Sequence, residues 1–329
     1  MSAVAAVIPT WNRRTLLERL IGSLRTQTRP PEEIAVVDNG SSDGSAEAAE
    51  RLGARVIRMG SNTGFSRAVN RGIECCRAKW IAVVNNDIEP APDWLEKLVQ
   101  AAERRQAWFA AGKILDAADR ERIDGTYDLV CRGACPWRAG HGRKDGGEFS
   151  RERPISVAPA TATLFRASLF SKVGLLDERF GSYLEDVDFG IRCALAGCHG
   201  VYVPDALAWH EGSATLGRWN PEVVRLIARN QVLLVARHYS RNLALRFLWP
   251  VIVAQGLWGL LALRHGAGWA WLRGKAEGLK MSRQVCGHGL DQVAAVLDSG
   301  EREIRALQTR TGFDWYWRVY FLLTAGGAK

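Results

Sequence analysis

The chain has 329 residues, of which 47% are apolar, and carries 44 Lys and Arg against 35 Asp and Glu for a net charge of +9. That is too apolar for a disordered chain and long enough for one catalytic-sized domain with an appendage. Neither an internal repeat nor a low-complexity tract occurs, which excludes solenoid and fibrous classes.

The first strand is read in Val4, Ala5, Ala6, Val7 and Ile8, which stop at Pro9, Thr10, Trp11, Asn12 and Arg13. These opening residues lack the basic start and long apolar stretch of a secretory leader, so a cytoplasmic protein is expected, with its seven cysteines as reduced thiols. Leu17, Leu20, Ile21 and Leu24 mark one face of a helix. Ile34, Ala35, Val36 and Val37 form a second strand that runs into the polar loop 38–44, and the alternation recurs over 54–59, 65–76 and the apolar run from Trp80. The order βαβαβαβ predicts an α/β fold with a doubly wound parallel sheet, whose ligands bind at the carboxyl edge of the strands.

At that edge the run Trp80 to Val84 ends in Asn85, Asn86 and Asp87. A hard divalent cation needs oxygen ligands and keeps waters and substrate phosphates around one or two carboxylates, so Asp87 suffices to start a site. The bland alternative is a carboxylate that caps the next helix near Pro92 and Asp93. No G-x-G-x-x-G or G-x-x-x-x-G-K-[ST] occurs, so a dinucleotide or P-loop site is excluded and phosphates must be held otherwise. A cation at Asp87 with help from Arg13 or Arg67 would do so, although both arginines also read as solvated surface residues. Asp38 is placed to accept hydrogen bonds from a base or ribose.

Further along, 116–154 is rich in glycine and charge and reads as an irregular insertion of the kind that carries specificity. Small side chains fill 158–164, which leaves volume beside that strand, although Ala and Thr are also ordinary strand filling. Glu185, Asp186 and Asp188 fall in the first turn of a helix anchored by Val187, Ile191 and Leu195, where the dipole favours an ionised carboxylate and hence a base. Acidic residues also occupy first turns for stability alone.

Six blocks, taken in order, carry a resemblance: 36–45, 62–72, Asn85-Asn86-Asp87, 174–180, 185–188 and Trp209-His210. Together they resemble the inverting family 2 glycosyltransferases of GT-A fold, and within them the rhamnosyltransferase-like branch. The resemblance covers about the first 215 residues and implies a GT-A catalytic domain over 1–215, with a nucleotide-sugar half over 1–115 and an acceptor half over 116–215. It implies that Asp87 and His210 bind a divalent cation, Mg²⁺ or Mn²⁺, and that Asp186 is the general base with Glu185 beside it. The donor would be met by Pro9, Thr10, Asn12, Arg13, Asp38, Asn39, Asn62, Gly64, Phe65, Arg67, Asn70, Asn85, Asn86, Thr161 and Ala162. One departure matters: the family's D-x-D begins with Asp and this chain has Asn85, so cation binding is expected to lean on the nucleotide. The activity implied is inverting transfer from a nucleoside diphosphate sugar, dTDP-rhamnose first and a UDP-hexose second, to a hydroxyl of a lipid-linked or cell-envelope glycan. The rival is a non-catalytic nucleotide-sugar or glycan-binding scaffold at the membrane.

Charge is uneven. Up to Thr215 basic and acidic residues balance at 28 each, whereas from Leu216 they stand at 16 against 7, and eight of the 13 tryptophans lie in or beside that region. Basic residues interleaved with Trp describe a helical C-terminal region, 216–329, that meets anionic lipid, which places the protein at the inner face of the cell membrane. Nucleic acid is excluded as a partner because the aromatics accompany long apolar runs. The strongest such run, 247–263, contains Pro250 and reads as a helix lying in the interface, packed as core, or spanning; 313–323 is a second element of this kind.

Overall fold

A computed structural model describes residues 2–211, 219–285 and 291–325. The chain divides into two compact units, Met1–Tyr127 with Gly140–Ala214, and Asp128–Ala139 with Thr215–Lys329.

The first unit begins β1 (Val4–Thr10), α1 (Arg14–Arg25), β2 (Glu33–Asp38), α2 (Ser45–Arg51), β3 (Arg55–Arg58), α3 (Phe65–Cys75) and β4 (Trp80–Val84). It continues β5 (Ile88–Pro90), α4 (Trp94–Arg104), β6 (Phe109–Asp116) and β7 (Ile123–Gly125). The hairpin β8 (Asp128–Val130) and β9 (Pro136–Arg138) leaves this unit, which resumes with β10 (Arg153–Ile155), β11 (Ala162–Arg166), α5 (Ala167–Val173), α6 (Glu185–Leu195) and β12 (Gly200–His210). The main sheet runs β10-β12-β6-β11-β4-β1-β2-β3, with β5 on β12 and β7 on β6.

The strands β3, β2, β1 and β4 are parallel, as their apolar runs predict, and Val7 of β1 lies level with Ala35 and Val83. Such strands are covered on both faces. Val4, Ala6 and Ile8 join Leu17, Leu20 and Leu98 in one core, while Val7 faces α3, where a Cβ on Gly72 would stand 2.3 Å from its Cγ1. Beyond β4 the sheet is mixed: β11 is antiparallel to both β4 and β6, and β12 is parallel to β6. The 116–154 stretch, read as irregular, contains three-residue strands and an Asx turn in which Asp116 accepts from the Ala118 amide at 2.7 Å.

In the second unit the β8–β9 hairpin packs with α7 (Pro221–His238), α8 (Arg241–Arg246), α9 (Leu248–Arg264), α10 (Gly268–Val285), α11 (Val293–Thr311) and α12 (Trp315–Thr324). The hairpin, placed within 1–215 on sequence, belongs here because it is bonded here. Arg132 is held by Glu301, and a Cβ on Gly133 or Gly300 would strike the Pro250 or Val130 carbonyl. Gly274 and Gly278, one turn apart on α10, let it press against the α7 backbone at Arg225 and Arg229. Pro250 does not break α9, because it sits in the first turn, where no intrahelical donor is required. Among the described residues no helix is long and apolar enough to cross a membrane.

Candidate active site

The carboxyl ends of β1, β2 and β4 lie side by side, and the loops that leave them are tied together by their own side chains. Thr10 is level with Asp38 in the β1–β2 ladder, and Asn86 donates to the Thr10 hydroxyl at 2.8 Å. The Asn85 amide donates to the Thr161 carbonyl at 2.8 Å, one residue before Ala162 pairs with Val84. Thr10, Asn85, Asn86, Thr161 and Ala162 are thus gathered along one edge. Asp38 is buried, and its carboxylate accepts from the Ser41 amide at 3.2 Å.

The turn from β1 into α1 passes through Asn12 and Arg13, both in the left-handed region at φ 49° and 110°. Non-glycine residues hold such angles only where their surroundings fix them. Asp43 does so by accepting from the Arg13 and Arg14 amides at 2.7 and 2.9 Å, and Asn12 bridges Ser41 and Ser42. Asp43 was not singled out from sequence, although it stands in the conspicuous polar loop after β2.

Several residues placed with the donor on sequence are engaged elsewhere. Asn39 bonds Asn62, the Gly64 carbonyl and the Thr63 amide, joining the end of β2 to the loop before α3. Asn70 is buried and exchanges both amide bonds with the backbone of Leu176 at 2.8 and 3.0 Å. The Ser66 amide bonds the Gly181 carbonyl and the Phe65 amide bonds Ser182, while Gly64 leaves room for Gly181 to approach. The start of α3 therefore anchors the loop that leads to α6. Arg67 is exposed, 3.9 Å from Glu178, and Pro9 is a β1 residue level with Val37.

That loop enters α6 through Tyr183 and Leu184, again left-handed at φ 70° and 64°. Of the three acids in the first turn, Glu185 and Asp188 are buried and Asp186 is half-buried. Asp188 is paired with Arg192 at 2.8 Å, whose guanidinium also donates to the Val173 and Leu175 carbonyls. Asp186 accepts from the Val187 amide at 2.9 Å and the Ala160 amide at 3.2 Å, and lines a small hollow with Val83, Ala158, Ala160 and Phe189.

Pairing of β5 with β12 sets Ile88 opposite His210, which brings Asp87 to the imidazole. His210 Nε2 is 3.4 Å from Asp87 Oδ2, and its Nδ1 is 2.9 Å from Asp124 Oδ2. Burial disfavours the imidazolium, but hydrogen bonds to Asp124 and Asp87 outweigh it and push the His210 pKa up to about 9. Asp87 Oδ1 and Asn85 Oδ1 are buried and have no hydrogen-bond partner among the described residues. Among the described residues no three acids, histidines or cysteines are disposed to hold an ion unaided. Asp87 and His210 fit a cation that completes its shell with diphosphate oxygens and water, and the unsatisfied Asp87 oxygen is the atom such an ion would satisfy. Asp124 was missed on sequence because it lies in the stretch read as irregular, inside a strand of only three residues, Ile123–Gly125.

Comparison with known proteins gives the family and the fold. The family described as Glycosyl transferase family 2 matches residues 5–174. An N-acetylglucosaminyl-diphospho-decaprenol L-rhamnosyltransferase of Mycobacterium tuberculosis is 32% identical over 238 residues, 64% of this chain and 77% of that protein. Among solved structures, GalNAc-T7 with UDP, GalNAc and Mn²⁺ superposes with a TM-score of 0.62 at 13% identity, covering 95% of this chain and 58% of the other. The mannosyltransferase PcManGT from Pyrobaculum calidifontis, in complex with GDP-Man and Mn²⁺, gives 0.54 at 16%, covering 100% of this chain and 88% of the other. At these identities the structural likeness establishes the fold, which is GT-A.

Proposed function

Because the chain belongs to glycosyltransferase family 2 and is a transferase, we propose that it moves a sugar with inversion from a nucleoside diphosphate donor, dTDP-rhamnose foremost, to a hydroxyl of a lipid-linked or cell-envelope glycan. The observation that carries the reading is Asp186, the one carboxylate at the head of α6 that is not buried, beside the small residues Ala158 and Ala160. In such a transfer the acceptor oxygen forms a bond to the anomeric carbon as the bond to the diphosphate breaks. Asp186 takes the hydroxyl proton, and the backbone amides of Val187 and Ala160 hold its carboxylate in place. Asp38 accepts from the nucleoside, and Arg67 is the exposed cation assigned to the phosphates. Asp87 and His210 would hold a divalent cation, Mg²⁺ or Mn²⁺, which when bound neutralises charge on the departing diphosphate. The rhamnosyl donor is favoured by the 32% identity to the mycobacterial rhamnosyltransferase.

The second unit supports work at a membrane surface, at the inner face for a cytoplasmic enzyme. Residues 223–276 contain eight Lys and Arg and no Asp or Glu. On α9, Leu248, Trp249, Ile252, Leu260 and Leu263 are exposed and recur on one side of the helix, which makes an apolar stripe, and Leu245 of α8 is exposed as well. Trp249 donates to the Leu323 carbonyl at 2.9 Å, joining that stripe to exposed Leu322 on α12. An apolar helix face with basic residues on the neighbouring helices suits the headgroup region of an anionic membrane.

The test is donor-dependent thermal stabilisation followed by turnover. A panel of nucleoside diphosphate sugars, with and without Mn²⁺, should raise the melting temperature for one donor, and Asp186→Asn should keep that shift while losing transfer. No shift with any donor in a folded sample would instead support the scaffold.

A further inference from the structure

β6 and β7 pair out of step: Leu115 lies opposite Ile123, but Ile114 lies opposite Gly125. Asp124 is therefore the extra residue of a β-bulge, a device that releases one residue from the ladder and re-aims its side chain. The aim is legible. Asp124 Oδ2 sits 2.9 Å from His210 Nδ1, and the Asp124 main-chain oxygen is 2.6 Å from His141 Nδ1, a second imidazole bracing the bulge. His210 ends β12, with Asp116 of β6 level with it on one side and Ile88 of β5 on the other, so the ring is caught between Asp87, the residue before β5, and the bulge that carries Asp124.

The two nitrogens of an imidazole are not equivalent, and the partner of one decides what the other offers. An ionised carboxylate only accepts, so Asp124 holds a proton on Nδ1, and once a cation takes the place of the other ring proton Nε2, 3.4 Å from Asp87 Oδ2, is the atom left to donate a lone pair. We infer that Asp124 is a positioning residue, which through the β7 bulge fixes the ring orientation and tautomer of His210 so that Nε2, with Asp87, serves the divalent cation. Carboxylate–histidine–metal arrangements of this kind set both ring direction and ligand basicity. Asp124 itself touches neither donor nor acceptor in this role. The inference rests on Asp87 and His210 being the cation ligands.

Mn²⁺ affinity in the presence of dTDP, read from the free-Mn²⁺ paramagnetic resonance signal, tests it without any turnover. Asp124→Ala should weaken Mn²⁺ by about 10- to 100-fold, while Asp124→Asn, whose amide oxygen still accepts from Nδ1, should recover much of that loss. Asp87→Ala is the control for the site itself. If Asp87→Ala weakens Mn²⁺ and Asp124→Ala does not, the positioning role is overturned and the cation site stands. If Asp87→Ala leaves Mn²⁺ affinity unchanged, the cation site fails and the inference falls with it. Should Asp124→Ala fail to fold, ¹⁵N-histidine spectra of Asp124→Asn with Mg²⁺ and dTDP decide. The proton of His210 on Nδ1 is expected, and a proton on Nε2 overturns the role.

Discussion

Two aspartates two residues apart on α6 are expected to fail in different ways. Asp188 is fully buried and holds Arg192, which also caps the carbonyls of Val173 and Leu175. Asp188→Ala leaves a guanidinium that is only 15% exposed without its carboxylate, and breaking a buried pair from one side costs about 3–5 kcal/mol. For a unit of about 200 residues, where each kcal/mol moves the midpoint by about 2–4 °C, the melting temperature should fall by about 6–20 °C. Asp186→Asn removes charge from a half-buried group whose two amide contacts an Asn oxygen can still accept, so its midpoint should stay within about 2 °C of the parent. Its turnover should instead fall by about 10²–10⁴-fold through loss of the base. Circular dichroism melts and release of nucleoside diphosphate measure the two quantities on the same samples. Equal destabilisation by both variants, or a stable Asp188→Asn with the turnover loss expected of Asp186→Asn, would refute the division of roles.

Gly72→Ala should destabilise the first unit by about 1–3 kcal/mol in denaturant unfolding, because its Cβ would meet Val7 Cγ1 at 2.3 Å and Val37 Cγ2 at 3.0 Å; an unchanged midpoint would show that α3 can shift freely. Burial pulls the Lys275 ammonium down from 10.5 to about 7 while it bonds Gln231 and Gln255. Between those values the unfolded chain binds the extra proton, so stability of the second unit should rise with pH from about 7 to about 10, by at most about 1.4 kcal/mol per pH unit. Urea midpoints at pH 7, 8 and 9 check the slope, and Lys275→Met should flatten it. Ile252→Asp with Leu260→Asp, both more than half exposed, should reduce co-sedimentation with phosphatidylglycerol vesicles by about tenfold or more; binding unaffected by the pair, or equal on neutral vesicles, would remove the membrane reading.

The parallel half of the sheet was legible because each strand there is an apolar run closed by a polar loop, and the face of α1 followed from Leu17, Leu20, Ile21 and Leu24, all buried. The direction of β11 was not, since Ala162 to Arg166 reads the same in either sense and its antiparallel pairing is decided by where the chain re-enters the sheet. Strands of three residues such as β7 and β10 are shorter than one period of any pattern. The hairpin at 128–139 left its sequence neighbours for the helical unit through contacts of Gly133 and Arg132 with residues more than a hundred positions away. Asp87, Asp186 and His210 stand out in the sequence by residue type and order, whereas the contacts of Asp43 with the Arg13 and Arg14 amides and of Asp124 with His210 follow from the fold and not from spacing.

The same distinction separates residues that meet a ligand from residues that place those that do. Asn70 and Asn39 belong to the motif blocks, yet their amides are consumed by Leu176, Thr63 and Gly64. Neither is idle. The segment 176–184 is fixed to α3 by Asn70, Ser66 and the Phe65 amide, and it enters α6 through two consecutive left-handed residues, an arrangement that costs free energy and persists only when contacts impose it. The segment that leads to Asp186 is therefore held by residues more than a hundred positions upstream in sequence. A polar residue buried against backbone can in this way be as necessary to the motif as the carboxylate that it helps to place.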